Sequence, residues 1–192
     1  GFSQYQDQLG ELVLPEPSIL GDHQLYNIST SIAASRKIFN IKDENIIDGI
    51  KNVSLKARLE EIKSGKLKDI AGNNKLVIDG GHNISASLSI ANWIKNQNEE
   101  VNLIVGMMKD KEHVEFIKAF ENIVNSITLI DIPNQDGAIS KEDFKKKLDN
   151  SKLNLKLSNG IEESIKSLSK NENTIILCVG SLYLAGEILS LN

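Results

Sequence analysis

The chain has 192 residues, of which 40% are hydrophobic and 25% are charged, and its formal net charge at pH 7 is -4. These values are typical of an ordinary globular protein that is long enough for one or two domains with a sizeable core. The negative net charge gives no electrostatic case for binding a nucleic-acid backbone, so nucleic acid is not an expected partner.

Cysteine content and hydropathy indicate in which cellular compartment the protein is expected. Cys178 is the only cysteine, and it lies in the apolar run TIILCVG, where a buried structural thiol is favoured over a nucleophile. No apolar run reaches the roughly 20 residues that cross a bilayer, and the amino end has no basic region followed by an apolar one. We therefore expect a cytoplasmic protein with no membrane partner. Because the chain begins at Gly1 rather than at methionine, we also expect further sequence upstream.

The first part of the chain predicts a small mixed segment. A stretch with strand-like alternation ends at Pro15 and Pro17, and helical patterns follow at HQLYNISTSIAASRKIF and DENIIDGIKNV. From about residue 57 onward the pattern changes to apolar, β-branched runs separated by helical segments. The five runs are KLVID, VNLIVG, SITLIDI, LNLKLS and TIILCVG. This alternation predicts a Rossmann-like α/β domain, a mainly parallel sheet with helices on both faces.

Polar residues follow several of the predicted strands. Asp79, His82 and Asn83 follow the first strand, and a Lys-Asp-Lys run at 109–111 follows the second. Because ligands of open α/β sheets collect outside the carboxyl ends of the strands, these tips form the candidate ligand site. The chain contains neither GxGxxG nor GxxxxGK[ST], so neither a dinucleotide fingerprint nor a P-loop is expected in it. Three scattered histidines and one cysteine do not predict a metal site.

Asp79 opens the turn after the first of these strands, where a phosphate-binding loop often lies. A carboxylate repels phosphate but accepts hydrogen bonds from paired hydroxyls, as an acidic residue does with ribose in dinucleotide-binding folds. Gly80 and Gly81 allow close approach of a ligand, and His82 can donate to a base or a phosphate oxygen. On these residues alone, an Asp79 that merely caps the helix near Ser85, with His82 as a surface residue, is equally well supported.

Five stretches carry a resemblance that extends over nearly the whole chain: GDHQLYNISTSIAA (21–34), ARLEEI (57–62), LVIDGGHNISA (76–86), VGMMKDKEHV (105–114) and GSLYLAGEIL (180–189). Together they resemble the folylpolyglutamate synthase and dihydrofolate synthase family, the folate branch of the Mur ligases. The first three are similar to that family's G-x-HQ-x-x-NA helix, its PGR-hydrophobic-E segment and its DGAHNP turn. The last closely matches its carboxyl-terminal signature, and the fourth is a softer match.

The resemblance implies an enzyme that uses ATP and Mg²⁺ to phosphorylate a folate-type carboxylate, forming an acyl phosphate that the amine of L-glutamate attacks. The acid would be dihydropteroate, folate or both. In this family ATP lies between a P-loop domain and a smaller carboxyl-terminal domain. At the matching positions, Arg58 would neutralise phosphate charge, Asp79 would hold the ribose, and His82 would contact the nucleotide. Asn27 would approach the adenine or ribose from the other side.

The resemblance also divides the chain. Residues 1–55 would be the tail of the ATP-binding P-loop domain with its linker. Residues 56–192 would be the carboxyl-terminal domain, which docks on its own upstream P-loop domain. Because the P-loop, the Mg²⁺ ligands and most of the folate pocket expected of the family are missing from this chain, we expect it to be inactive alone. We therefore assign no catalytic residue and no metal ligand within it.

Two motifs depart from the family's pattern, and other interpretations stay open. Leu55, Lys56 and Ala57 replace the Trp-Pro-Gly before the arginine, and the DGAHNP turn reads DGGHNI here. Without the resemblance, Arg58 would be interpreted as a surface arginine paired with an acidic neighbour at 60 or 61. Ser181 is expected to cap the last helix, with a substrate contact from it or from the tyrosine at 183 left open.

The function also has two alternatives. One is another amino-acid ligase of the Mur superfamily, which would differ in the acid and the amine that it accepts. The other is a non-catalytic nucleotide-binding or regulatory module that has no P-loop partner. The presence or absence of a Gly-rich Lys-Ser loop upstream of the chain would discriminate this second alternative from a ligase.

Overall fold

The computed structural model describes residues 3–17, 19, 23–39, 41–148 and 153–192. The chain divides into two compact units, the first ending at Lys56 and the second running from Ala57 to Asn192. In the part of the chain that the structure describes, every helix is too short or too polar to cross a membrane.

The described residues of the first unit form a β-hairpin and two helices. Strand β1 (Ser3–Asp7) pairs antiparallel with β2 (Gly10–Leu14), and helices α1 (His23–Ile38) and α2 (Asp43–Asn52) follow. Their apolar faces share a core that contains Tyr5, Leu12, Leu14, Ile28, Ile32, Ile46 and Ile50. The alternating stretch before Pro15 is thus part of the hairpin, and both predicted helices are observed.

A six-stranded sheet lies at the centre of the described part of the second unit. In chain order its strands are β3 (Glu60–Ile62), β4 (Lys75–Ile78), β5 (Val101–Val105), β6 (Ser126–Leu129), β7 (Leu155–Leu157) and β8 (Ile175–Val179). They lie in the order β3-β4-β8-β5-β6-β7, and every neighbouring pair is parallel except β3 and β4. Strand β8 therefore lies inside the sheet, between β4 and β5.

Six helices within the described residues cover the two faces of this sheet. They are α3 (Lys66–Ala71), α4 (Ile84–Lys95), α5 (His113–Lys118), α6 (Lys141–Lys147), α7 (Ile161–Leu168) and α8 (Leu182–Leu191). Side chains of α4, α5 and α6 join one core, and those of α3, α7 and α8 join the other. Along β5, Leu103 belongs to the first core and Ile104 to the second, and both are fully buried. Burial on both faces explains why the strands are almost continuously apolar.

The predicted fold class is confirmed, since the sheet is mainly parallel and carries helices on both faces. The five predicted runs correspond to β4 through β8. Strand β3, in which Glu60 pairs with Ile78 in antiparallel register, was not predicted from the sequence. Three residues are too few to show an alternation, and the strand is defined by its contact with β4. The assignment of the residues before Ala57 to an ATPase domain stays a prediction.

Candidate functional site

The carboxyl ends of β4, β8 and β5 lie side by side at one edge of the sheet, where ligands collect in open α/β folds. Backbone hydrogen bonds continue past the strands: Gly180 N donates to Gly81 O at 3.0 Å, and Gly106 N donates to Val179 O at 3.3 Å. The turn that follows β4, residues 79–83, is therefore fixed against the residues that follow β8.

Asp79 is buried at the start of this turn, with 5% of its surface exposed. One carboxylate oxygen accepts from Gly81 N at 2.7 Å, and the other accepts from Leu59 N at 2.9 Å. Asp79 thus ties the turn to the segment that leads into β3. The interpretation of Asp79 as the helix cap is wrong, because α4 is capped by Asn83, whose side chain accepts from Ala86 N at 2.9 Å.

Arg58 lies between two residues with left-handed backbone conformation. Ala57 has φ 53° and Leu59 has φ 47°, and such a conformation costs a non-glycine residue roughly 1–2 kcal/mol. Backbone contacts offset this cost. Ala57 N donates to Glu60 Oε2 at 2.8 Å, and Ala57 O accepts from Gly80 N at 2.9 Å. Together with the hydrogen bond that Leu59 N donates to Asp79, these contacts hold the loop from both sides.

The half-buried Arg58 side chain lies beside Gly80. Its Nη1 donates to Ala57 O at 3.0 Å. A Cβ added at Gly80 would come within 3.1 Å of Arg58 Nη1 and 2.2 Å of Leu182 Cδ2. Glycine at this position therefore leaves the room that the guanidinium and the leucine occupy.

His82 is half-buried in the same turn, with Nδ1 at 3.0 Å from Gly80 O. A carbonyl can only accept, so the proton of the neutral ring lies on Nδ1 and Nε2 remains an acceptor. The tip of β5 is within electrostatic reach. The pKa of Asp110 is lowered chiefly by its hydrogen bond and ion pair with Lys111, at 2.9 Å, and additionally by His82.

Of the four predicted site residues, the structure places Asp79 and His82 in the turn after β4 and Arg58 beside that turn, next to Gly80. Asn27 lies in the first unit, where its exposed side chain donates from Nδ2 to Gln24 Oε1 at 3.0 Å. Glu60, the acceptor that holds the arginine loop, was not predicted as a site residue. Its place in ARLEEI was the available signal, but the left-handed backbone that gives the carboxylate this role cannot be seen in a sequence.

The start of α8 adds a partly apolar border to the turn. Ser181 is the N-cap of α8, as predicted, because its hydroxyl accepts from Tyr183 N at 3.0 Å. Leu182, which lies against Gly80, and Tyr183 are 50% and 55% exposed. A substrate contact from Ser181 or Tyr183 stays a prediction.

The chemistry of these side chains suits an anionic ligand. The planar guanidinium of Arg58 is a group that recognises phosphate oxygens, and His82 Nε2 can accept a hydrogen bond from a hydroxyl or amino group of the same ligand. The turn can therefore take part in holding a nucleotide through Arg58 and His82. Within the described ranges, no group of three or more His, Cys, Asp and Glu side chains is arranged to hold a metal ion.

The mainly parallel sheet with such a polar turn at its carboxyl edge places this unit in the class of open α/β domains, with a candidate ligand site at that edge. Residues 63–191 match the family described as dihydrofolate synthetase, C-terminal domain. This match covers well over half of the chain. The chain therefore belongs to the folylpolyglutamate and dihydrofolate synthase family, as the resemblance in its motifs predicts.

Individual relatives agree with this assignment. The dihydrofolate synthase/folylpolyglutamate synthase of Bacillus subtilis (strain 168) is 26% identical over 181 residues, which is 89% of this chain and 39% of the relative. The chain spans about two fifths of the length of the curated relatives that it matches.

Two solved structures show the same fold. Mycobacterium tuberculosis folylpolyglutamate synthase complexed with ADP and AMPPCP has a TM-score of 0.77 at 16% identity, over 98% of this chain and 46% of that chain. A bifunctional folylpolyglutamate synthase/dihydrofolate synthase with Mn, AMPPNP and L-glutamate bound also has a TM-score of 0.77, at 18% identity, over 98% of this chain and 45% of that chain.

Proposed function

We propose that this chain is the carboxyl-terminal portion of an ATP-dependent ligase that joins L-glutamate to dihydropteroate, folate or both through an acyl phosphate. The names of its relatives and the nucleotides, Mn and L-glutamate in the neighbouring structures support this proposal. The observation that carries it is the pair of hydrogen bonds that the Asp79 carboxylate accepts from Leu59 N and Gly81 N. These two hydrogen bonds join the loop that carries Arg58 to the turn that carries His82. The guanidinium and the imidazole therefore lie at the same carboxyl edge of the sheet.

In this proposal the second unit supplies half of a nucleotide site. Arg58 neutralises phosphate charge, for which its guanidinium has five donors in a planar fork. His82 keeps Nδ1 on Gly80 O and offers Nε2 to the nucleotide. Asp79 holds the ribose, since a carboxylate oxygen can accept a hydrogen bond from a hydroxyl.

The other half would come from a P-loop domain upstream, which would also carry the Mg²⁺ ligands. Asn27, in the first unit, would approach the adenine or the ribose. Bound ATP supplies the phosphoryl group that activates the carboxylate for attack by glutamate. Closure of the upstream P-loop domain on the carboxyl-terminal domain would bring Arg58 to the nucleotide and exclude water from the acyl phosphate.

The proposal is tested by a ligation assay on the protein translated from the full reading frame. With ATP and Mg²⁺, we expect ADP release that requires both L-glutamate and dihydropteroate or a folate. Arg58→Ala should lower kcat/KM roughly tenfold or more, because a charge-assisted phosphate contact is lost. Lys63→Ala is the matched control, since it removes an exposed cation of the same charge five residues away.

Other outcomes would identify the alternatives. ADP release that requires a different acid or amine would indicate another Mur-superfamily amino-acid ligase. Nucleotide binding without turnover, from a reading frame that has no Gly-rich Lys-Ser loop, would indicate a non-catalytic module. Unchanged kinetics in Arg58→Ala would show that the nucleotide site has been assigned to the wrong residues.

A further inference from the structure

Glu60 holds the loop that carries Arg58. It is the first residue of β3, where it pairs with Ile78 of β4. Its Oε2 accepts from Ala57 N at 2.8 Å, and Ala57 is only 3% exposed. Water therefore cannot replace this acceptor unless the backbone moves, and a buried amide without an acceptor is unfavourable.

The backbone amide of each of the two left-handed residues around Arg58 donates a hydrogen bond to a carboxylate. Glu60 binds Ala57 N, and Asp79 binds Leu59 N at 2.9 Å. The guanidinium itself donates to Ala57 O, the carbonyl of the residue that Glu60 fixes. The position of the Arg58 side chain beside the β4 turn therefore depends on the backbone angles of its two neighbours.

We propose that Glu60 is a positioning residue for Arg58: its carboxylate keeps Ala57 in the left-handed conformation and so presents the guanidinium beside Gly80 to a polyphosphate ligand. The ligand class rests on the function proposed above. The placement of the arginine rests on the geometry of the loop alone.

The charge of Glu60 and its role as an acceptor predict opposite effects of its removal on polyphosphate binding. A carboxylate two residues from Arg58 repels an anion, so removing its charge should strengthen polyphosphate binding if electrostatics alone mattered. If Glu60 acts as an acceptor that fixes the loop, Glu60→Ala should weaken binding although it removes a negative charge. Glu60→Gln keeps an acceptor oxygen without the charge and should bind at least as well as the wild type.

The first measurement is ligand-independent NMR of this chain. The ¹³Cα and ¹³Cβ shifts of Ala57 and Leu59 report the left-handed backbone, and the Nε–Hε signal of Arg58 reports its surroundings. We expect all three to change in Glu60→Ala and to persist in Glu60→Gln. Glu61→Ala is the matched control, because it removes the same charge from an exposed neighbour on the same strand.

The second measurement is a calorimetric titration of the same variants with inorganic tripolyphosphate. Glu60→Ala and Arg58→Ala should each bind about tenfold more weakly than the wild type, the effect of one charge-assisted contact. Glu60→Gln and Glu61→Ala should stay within about twofold or bind more tightly. The double variant should bind no more weakly than Arg58→Ala, since a residue that acts through Arg58 has no effect in its absence.

The proposal is overturned if Glu60→Ala keeps the left-handed shifts, or if it binds tripolyphosphate as tightly as the wild type. It is also overturned if Glu60→Ala weakens binding equally with and without Arg58. If the wild type does not bind tripolyphosphate but the NMR signals of the loop change in Glu60→Ala as expected, the phosphate-binding role of Arg58 is wrong and the positioning role of Glu60 is supported. If Glu60→Ala does not fold, Glu60→Asp replaces it, because it keeps the charge and shortens the reach by one methylene.

Discussion

At the residue scale, Cys178 shows how burial sets the chemistry of a side chain. It lies in β8, inside the sheet, and is 1% exposed. Burial raises the pKa of its thiol to about 12, because a thiolate loses its hydration in an apolar core. The thiol is therefore uncharged at neutral pH, and the prediction of a buried structural cysteine is confirmed.

We expect Cys178 in the folded chain to resist alkylation at pH 8, because the reactive thiolate is both scarce and inaccessible. The labelled fraction is measured by mass spectrometry against time, with and without guanidinium chloride. The unfolded chain should be labelled completely while the native chain stays unmodified. A Lys63→Cys variant is the positive control, since residue 63 is exposed and should react in the folded state. Rapid labelling of native Cys178 would show that β8 opens locally without global unfolding.

At the element scale, His113 joins α5 to α6 and to the loop after β5. Its Nε2 is 3.0 Å from Met108 O, its Nδ1 is 3.2 Å from Lys147 Nζ, and its ring packs edge-on against Phe144 at 5.0 Å between centroids. These partners place the proton of the neutral ring on Nε2. Burial, reinforced by the charge of Lys147, lowers the pKa of His113. The histidine therefore holds three elements together in its neutral form.

This arrangement predicts a stability that falls with acidification. Below the ordinary histidine pKa of about 6.5 the unfolded chain takes up a proton, whereas folded His113 does not until the pH reaches its lower value. The free energy of unfolding therefore falls as the pH falls through that window. Asp110 and Glu115 act in the opposite direction without reversing the shift.

The measurement is the urea midpoint at pH 7.5 and pH 5.5 by circular dichroism. The wild type and a His82→Gln control should lose more stability between these values than His113→Gln. Equal losses in all three proteins would contradict the role of His113.

The elements also show which parts of the fold a sequence can predict. Strands β4 to β8 and their helices were predictable because burial on both faces leaves continuous apolar runs separated by helical periods. The loop at 57–60 was not predictable, because alanine and leucine disfavour the left-handed φ that Ala57 and Leu59 adopt. Two carboxylates, which accept from the amides of these residues, hold them in that conformation. One of these, Asp79, is 20 residues away along the chain. The motifs indicated Arg58 and Asp79 as site residues, but the role of Glu60 follows from geometry alone.

At the scale of the whole molecule, residue 192 returns to the beginning of the second unit. Asn192 Oδ1 accepts from Leu67 N at 3.0 Å and Lys68 N at 3.2 Å, and its Nδ2 donates to Ser64 O at 2.7 Å. Helix α3 has no side-chain cap at its own N-cap, Gly65, so the asparagine supplies the missing acceptor. A Cβ at Gly65 would lie 2.4 Å from Asn192 Nδ2, at φ 108°, so this junction requires glycine.

We expect Asn192→Ala to lower the free energy of unfolding by about 1–2 kcal/mol, the usual cost of removing a helix cap and its hydrogen bonds. Urea denaturation of this chain measures the change. Ser190→Ala is the control, because its exposed hydroxyl donates to Glu187 O within its own helix, at 3.0 Å. A change below about 0.5 kcal/mol in Asn192→Ala, no larger than a typical surface substitution, would show that the cap does not stabilise the unit.

The position of β8 has a consequence for how the domain is made on the ribosome. Strand β4 pairs with β8 through Lys75 and Ile175, and β5 pairs with the same strand through Val101. While the intervening chain is being synthesised, β4 and β5 each present an unpaired apolar edge, and the two halves of the sheet share no strand. Because β8 is synthesised after the other five strands, the sheet cannot be completed until translation of the domain is nearly finished. Until then the unpaired edges of β4 and β5 can pair incorrectly.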